Sequence, residues 1–242
     1  MSPEQWGHFM RRKSKVKRRT ARNLRITVMR GERGGWYDRH ADVLIQRLRR
    51  QGHIVMSART PGQVRKGDAL LVMSCYQLLK SQVLAKNLRN IVFHAADLPR
   101  GRGWSALTWQ VLEGRSVIPL TAFEANEDTD AGPVYVKDRI RLQGHELLPE
   151  MHDRLARKMN EVAFRLIRSW SSLVSHAQKG RPIFYAKRTS RDSELSLDRT
   201  IRQQFNILRV VDNEAYPAFF RFKGCEYVLK IAKRDQAQGG RA

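Results

Sequence analysis

The chain has 242 residues, 41% apolar and 29% charged, enough for one sizeable hydrophobic core with at most a small second unit. No run approaches the ~18–20 apolar residues of a transmembrane helix. No secretory signal is expected, and two cysteines, Cys75 and Cys225, exclude a disulfide framework or a cysteine-rich zinc site. The scattered histidines predict no metal site, and the expected compartment is a reducing cytoplasm. The outlying quantity is charge: 46 Lys and Arg against 23 Asp and Glu, a net +23 at pH 7.

That charge is uneven. Residues 11–23 (RRKSKVKRRTARN) hold eight basic residues and no acid, so residues 1–23, with Glu4, account for +7 of the total. Such an arm is a solvated, disordered tail, a contact for RNA, nucleotides or anionic lipid, or an organellar leader.

From Leu24 onward, apolar runs alternate with helical patterns. Strands are predicted at Leu24–Met29, His53–Ser57, Ala69–Ser74 and Ile91–Phe93, with helices over 36–52 and 78–88, an α/β pattern that argues a doubly wound parallel sheet. In such sheets ligands sit beyond the carboxyl ends of the strands, here residues 30–37, 74–77 and 94–104. The segment RGERGGWYD lacks the G-x-G-x-x-G spacing and predicts either a loop that closes over a ligand or a plain turn.

The informative stretch is HAADLPRGRGWS, residues 94–105. His94 follows a buried strand directly, Leu98-Pro99 turns the chain, and Gly101 and Gly103 permit close backbone approach. A helix over 105–113 follows, and then a carboxylate-rich loop, Glu127 to Asp130, leading into Gly132-Pro133. A His and an Asp meeting across two loops suit proton transfer.

These residues, His94, Leu98-Pro99, Gly101 to Trp104 and Asp130 to Pro133, resemble the folate-dependent formyltransferases in order and spacing, over about residues 24–175. The resemblance implies a Rossmann-like formyltransferase domain that uses N10-formyltetrahydrofolate as cosubstrate to formylate a primary amine. It maps the family histidine to His94 and the aspartate to Asp130. It implies a pterin cradle from Ser74, Cys75, Tyr76, Leu98 and the Leu120–Asn126 loop, with Arg100, Arg102, Gly103, Trp104 and Ser105 toward the acceptor. The family asparagine, two residues before the histidine, is Val92 here. Asn90 is on the same strand face but roughly 6.6 Å further back. Losing such an oxyanion donor typically costs on the order of 10²–10³ in rate. Cys75 as a nucleophile is the rival reading of its strand end, but formyl transfer needs none.

Residues 146–175 repeat apolar positions at helical spacing, predicting one long helix over the sheet. Beyond a boundary near 178, residues 182–200 read as an extended linker, followed by a helix over 197–208 and a β-hairpin at 218–231. About 60 residues is short for the barrel appended to methionyl-tRNA enzymes. The expected acceptor is therefore a nucleotide-linked amino sugar of surface polysaccharide biosynthesis, with methionyl-tRNA, or a formyltransferase fold without activity, as alternatives. One of Phe219 and Phe220 is expected in the core and the other at a dimer or ligand surface.

Overall fold

The structure, a computed structural model, describes residues 23–75 and 77–234. The basic arm, apart from Asn23, and Tyr76 lie outside these residues.

The central sheet has six strands in the order β2-β1-β3-β4-β6-β7: β1 (Arg25–Arg30), β2 (Ile54–Ala58), β3 (Gly67–Met73), β4 (Asn87–His94), β6 (Val117–Glu124) and β7 (Val134–Arg141). β1 to β4 pair in parallel, whereas β6 runs antiparallel to β4 and β7 antiparallel to β6. The four strands read from the sequence are parallel, as expected, and β6 and β7 add an antiparallel edge. A parallel return from β6 to β7 needs a crossover of a dozen or more residues, and the nine residues between them hold no helix.

Helix α1 (Asp38–Arg50) places Ala41, Leu44, Ile45 and Leu48 on one buried stripe. Helix α4 (Leu148–Arg168) covers the same face through Met151, Leu155, Met159, Val162, Leu166 and Ile167. Its methionines are core, as their spacing predicts. The helix stops before the expected residue 175 because the chain breaks into a 3-10 turn at Trp170–Ser172, where the Arg89 guanidinium bonds the carbonyls of Trp170 (2.6 Å) and Leu173 (3.2 Å).

The helix predicted over 78–88 is a single turn, α2 (Ser81–Leu84), because Asn87 already pairs with Gly67 and begins β4. The predicted linker 182–200 contains β8 (Ile183–Tyr185), which pairs in parallel with β5 (Arg100–Gly103) as a separate two-stranded sheet. Helix α3 (Ala106–Leu112) follows β5 and is tied to β8 by Trp109 Nε1 donating to Ala186 O (2.8 Å) and by Tyr185 OH donating to Glu113 (2.7 Å).

At the C-terminal end, α5 (Ile201–Arg209) is capped by Thr200 and leads to the hairpin β9 (Ala218–Phe222) and β10 (Cys225–Leu229). Leu195, Leu208, Val211 and Ala218 form a small core there, while Val210 inserts into the main one. Phe219 is buried, and Phe220 stacks on Tyr227 across the hairpin. No described helix is long and apolar enough to cross a membrane.

Candidate active site

β4 delivers His94 to its carboxyl end, where the chain leaves the sheet. The exit is short and pinned: Ala96 N donates to His94 O (2.9 Å), Thr121 Oγ1 to Ala96 O (2.6 Å) and Gln110 Nε2 to Ala95 O (2.6 Å). Leu98, fully buried, and the cis peptide before Pro99 then turn the chain into β5.

His94 Nε2 lies 2.7 Å from Gly101 O and 3.7 Å from Asp130 Oδ2. A carbonyl oxygen only accepts, so Nε2 carries the hydrogen and Nδ1 is the basic nitrogen of the neutral ring. Gly101 O sets the ring, and Asp130 stands within charge range of it. Asp130 Oδ2 accepts the Gly103 amide at 2.8 Å. Both side chains remain 14% exposed, so the pair is reachable from solvent.

Each residue of the Gly-Arg-Gly run has a separate contact here. Gly101 (φ +82) and Gly103 (φ +99) lie in the left-handed half of backbone space, where a side chain is strained. A Cβ on Gly103 would sit 2.5 Å from Tyr185 O, so β8 packs against β5 only because glycine is there. Asp130 itself holds φ +51 without being glycine, a conformation that costs about 1–2 kcal/mol and needs outside support. The support comes from Gln178, whose Nε2 donates to Asp130 O and Gly132 O, each at 2.8 Å.

Val92 is half-buried and packs against two clusters, one containing Val72 with Cys75 beside it, the other containing Phe123 and Leu98. An apolar side chain thus fills the place where the family resemblance implies an amide. Asn90 does not take over, since its Nδ2 donates to Leu84 O (3.1 Å) and Glu124 Oε1 (3.2 Å). The Cys75 thiol is pushed up by burial, partly offset by the Gln77 amide, which disfavours a nucleophilic thiolate.

Of the remaining expected site residues, Ser74 and Cys75 directly follow β3, with Ser74 at φ +51. Leu120 is corrected: it lies within β6 and its side chain is buried in the main core, because the strand runs on to Glu124. Only 125–133 is loop, and Asn126 is exposed on it. Trp104 and Ser105 are exposed at the start of α3, with Lys187 Nζ 5.4 Å over the Trp104 ring. Arg102 Nη2 bonds Gln178 Oε1 at 2.8 Å. Gly103 likewise gives its amide to Asp130 rather than to an acceptor.

Arg100 is exposed at the start of β5. With Lys137, Lys179 and Arg181 it lines a cavity of about 700 Å³ that Leu98 and Pro99 also line. Asp97 is the one acid in that lining, and Lys137 Nζ bonds it at 2.5 Å. The Gly-rich loop is a tied turn: Asp38 accepts the Gly34 amide (2.8 Å) and Arg59 Nη2 (3.0 Å), and Arg59 Nη1 bonds Gly31 O (2.9 Å). The described residues contain no group of three or more His, Cys, Asp or Glu placed to hold a metal. Gln178 and β8 were not legible in the sequence because their partners are 46 to 83 positions away; the available signal was the apolar run Ile183-Phe184-Tyr185 after a proline.

The formyl transferase family model matches residues 39–167, more than half of the chain and the whole stretch from His94 to Asp130. The chain belongs to this family. A methionyl-tRNA formyltransferase of Gluconobacter oxydans is 26% identical over 168 residues, 61% of this chain and 55% of that protein, so the chain spans about half of its length. A sugar N-formyltransferase from a Shewanella species superposes with a TM-score of 0.61 at 13% identity, over 87% of this chain and 98% of that one. HypX from Aquifex aeolicus, solved with tetrahydrofolic acid, superposes at 0.68 and 16% identity, over 87% and 38%. These likenesses establish the formyltransferase fold.

Proposed function

We propose that the chain transfers a formyl group from N10-formyltetrahydrofolate to the amino group of a nucleotide-linked sugar. The observation that carries the transfer is the reachable His94–Asp130 pair at the exit of β4 in a chain of the formyltransferase family.

The folate supplies an activated formyl group. Ser74 and Cys75 directly follow β3, the strand parallel and adjacent to β4, and so lie at the same edge of the sheet as His94, where the pterin would sit. The acceptor amine must be neutral to attack. As the amine nitrogen bonds the formyl carbon and the bond from that carbon to N10 breaks, His94 accepts the amine proton at Nδ1 and passes it to N10 of the departing tetrahydrofolate; the imidazolium formed in between is stabilised by Asp130 at 3.7 Å and by Gly101 O at 2.7 Å.

The acceptor class rests on the cavity beside the loop. Four cations face one already paired carboxylate, so an anion is favoured there. A volume of about 700 Å³ falls within the ~300–1,000 Å³ usual for small-molecule clefts. Methionyl-tRNA is the second reading, supported by the similarity to the Gluconobacter oxydans protein and by the basic composition.

The test is release of tetrahydrofolate with a panel of amino-sugar nucleotides and methionyl-tRNA as acceptors. Turnover with a sugar nucleotide, lost in His94→Ala, supports the first reading. Turnover with methionyl-tRNA alone supports the second. A folded protein that turns over neither counts against both.

A further inference from the structure

Asp130 is held in a strained backbone conformation, and the bonds that hold it come from outside the stretch that matches the family model. After α4 the chain pairs with the start of β7: Val134 N donates to His176 O (2.7 Å) and His176 N to Val134 O (2.8 Å). That bridge sets Gln178, two residues on, beside the Asp130 loop. Its Nε2 donates to the carbonyls of Asp130 and Gly132, on either side of Ala131. Its Oε1 accepts from Arg102 Nη2, which fixes which end of the amide faces the loop. Arg102 is placed in turn between the two glycines that bond His94 and Asp130. Among the described residues its buried Nε has no hydrogen-bond partner, so the guanidinium keeps this position at a solvation cost.

We propose that Gln178, locked by Arg102, is a positioning residue that sets the Asp130 carboxylate against His94. The proposal rests on the formyl-transfer reading for its kinetic test and has a second readout independent of turnover. The bonds form a closed ring: His94 to Gly101, Gly103 to the Asp130 side chain, Arg102 to Gln178, and Gln178 to the Asp130 backbone. Removing Gln178 leaves two carbonyls of a strained loop without donors, and the carboxylate then loses its register with the imidazole.

Gln178→Met keeps the size of the side chain and removes the amide. It is expected to lower kcat on the order of 10–100-fold, the effect of roughly 1 Å misplacement, with a smaller change in the acceptor KM. Gln178→Glu keeps an acceptor for Arg102 but points a second oxygen at two carbonyls, so its kcat should be at least as low. In an Asp130→Ala background Gln178→Met should change kcat by less than about twofold, because residues that act as one unit are non-additive. Independently, NMR titration of the His94 imidazole in the full chain should shift in Gln178→Met, and the shift should vanish in the Asp130→Ala background.

Equal losses of kcat in both backgrounds, a wild-type rate in Gln178→Glu, or a His94 titration indifferent to Gln178 would each overturn the proposal. If the wild-type chain turns over no acceptor, the formyl-transfer reading fails, and the titration alone decides the positioning role.

Discussion

His94, Val92 and Gly103 differ in what each contributes. His94 is set by a backbone carbonyl, so its basic nitrogen is fixed before any substrate arrives. His94→Ala is expected to lower kcat on the order of 10²–10⁴-fold, the usual share of general acid–base catalysis, while the fold, measured by circular dichroism, stays intact. Val92→Asn introduces an amide between Cys75 and Phe123 and is expected to cost about 1–3 kcal/mol in a denaturant titration. A gain in kcat from that variant would show that an oxyanion donor had been missing; an unchanged kcat would show that transfer proceeds without it. Gly103→Ala puts a methyl 2.5 Å from Tyr185 O at φ +99. It should lower stability by at least about 1–3 kcal/mol and uncouple β8 from β5, seen as faster exchange of the Trp104 amide, which donates to Tyr185 O.

Among the elements, the join between α4 and α5 is the most exacting. Glu146, almost fully buried just before α4, bonds Arg209 at the end of α5 through both its carboxylate (3.3 Å) and its backbone oxygen (3.0 Å). Burial alone would raise the Glu146 carboxyl, but the Gln143 and Gly144 amides and the Arg154 charge outweigh it and hold the carboxyl below its ordinary value. Arg209→Met strands much of that charge and is expected to cost about 3 kcal/mol, measured by urea unfolding. On the next turn of α4, His152 stacks on Trp36 at 4.5 Å, and burial, opposed by Asp212, pushes it down to about 4. A histidine depressed in the folded state contributes stability that is complete above about pH 6.5 and declines as pH falls toward 4. The Glu146 contribution is present above the ordinary carboxylate value and is lost below it. Unfolding free energies measured between pH 7.5 and 4 should therefore fall, and His152→Phe should flatten the upper part of that slope.

For the whole molecule, the charge of +23 acts on association more than on fold. Raising ionic strength from about 0.01 to about 0.15 M shortens the screening length from about 30 to about 8 Å. The KM of a phosphate-bearing acceptor should rise severalfold across that range. In Arg100→Ala the rise should be smaller, since one of the cavity's cations is gone. An acceptor KM insensitive to both salt and Arg100 would remove the cavity from the acceptor site.

Local patterns determined strands β1 to β4, the buried stripes of α1 and α4 and the C-terminal hairpin, and the order of the motifs, through the family resemblance, picked out His94, Leu98-Pro99, Gly101, Gly103 and Asp130. These depend on periodicity, on glycine and proline geometry and on motif order, all of which are properties of near neighbours. Only the tertiary structure decided that Gly101 O rather than Asp130 orients His94, that Leu120 belongs to the core, that Arg102 serves Gln178, and that β8 closes against β5. Each of these depends on which distant backbone groups meet a side chain: Gln178 is 48 residues from Asp130, and β8 is more than 80 from β5. Spacing in the chain carries no record of such pairings, because they are made by the packing of the sheet.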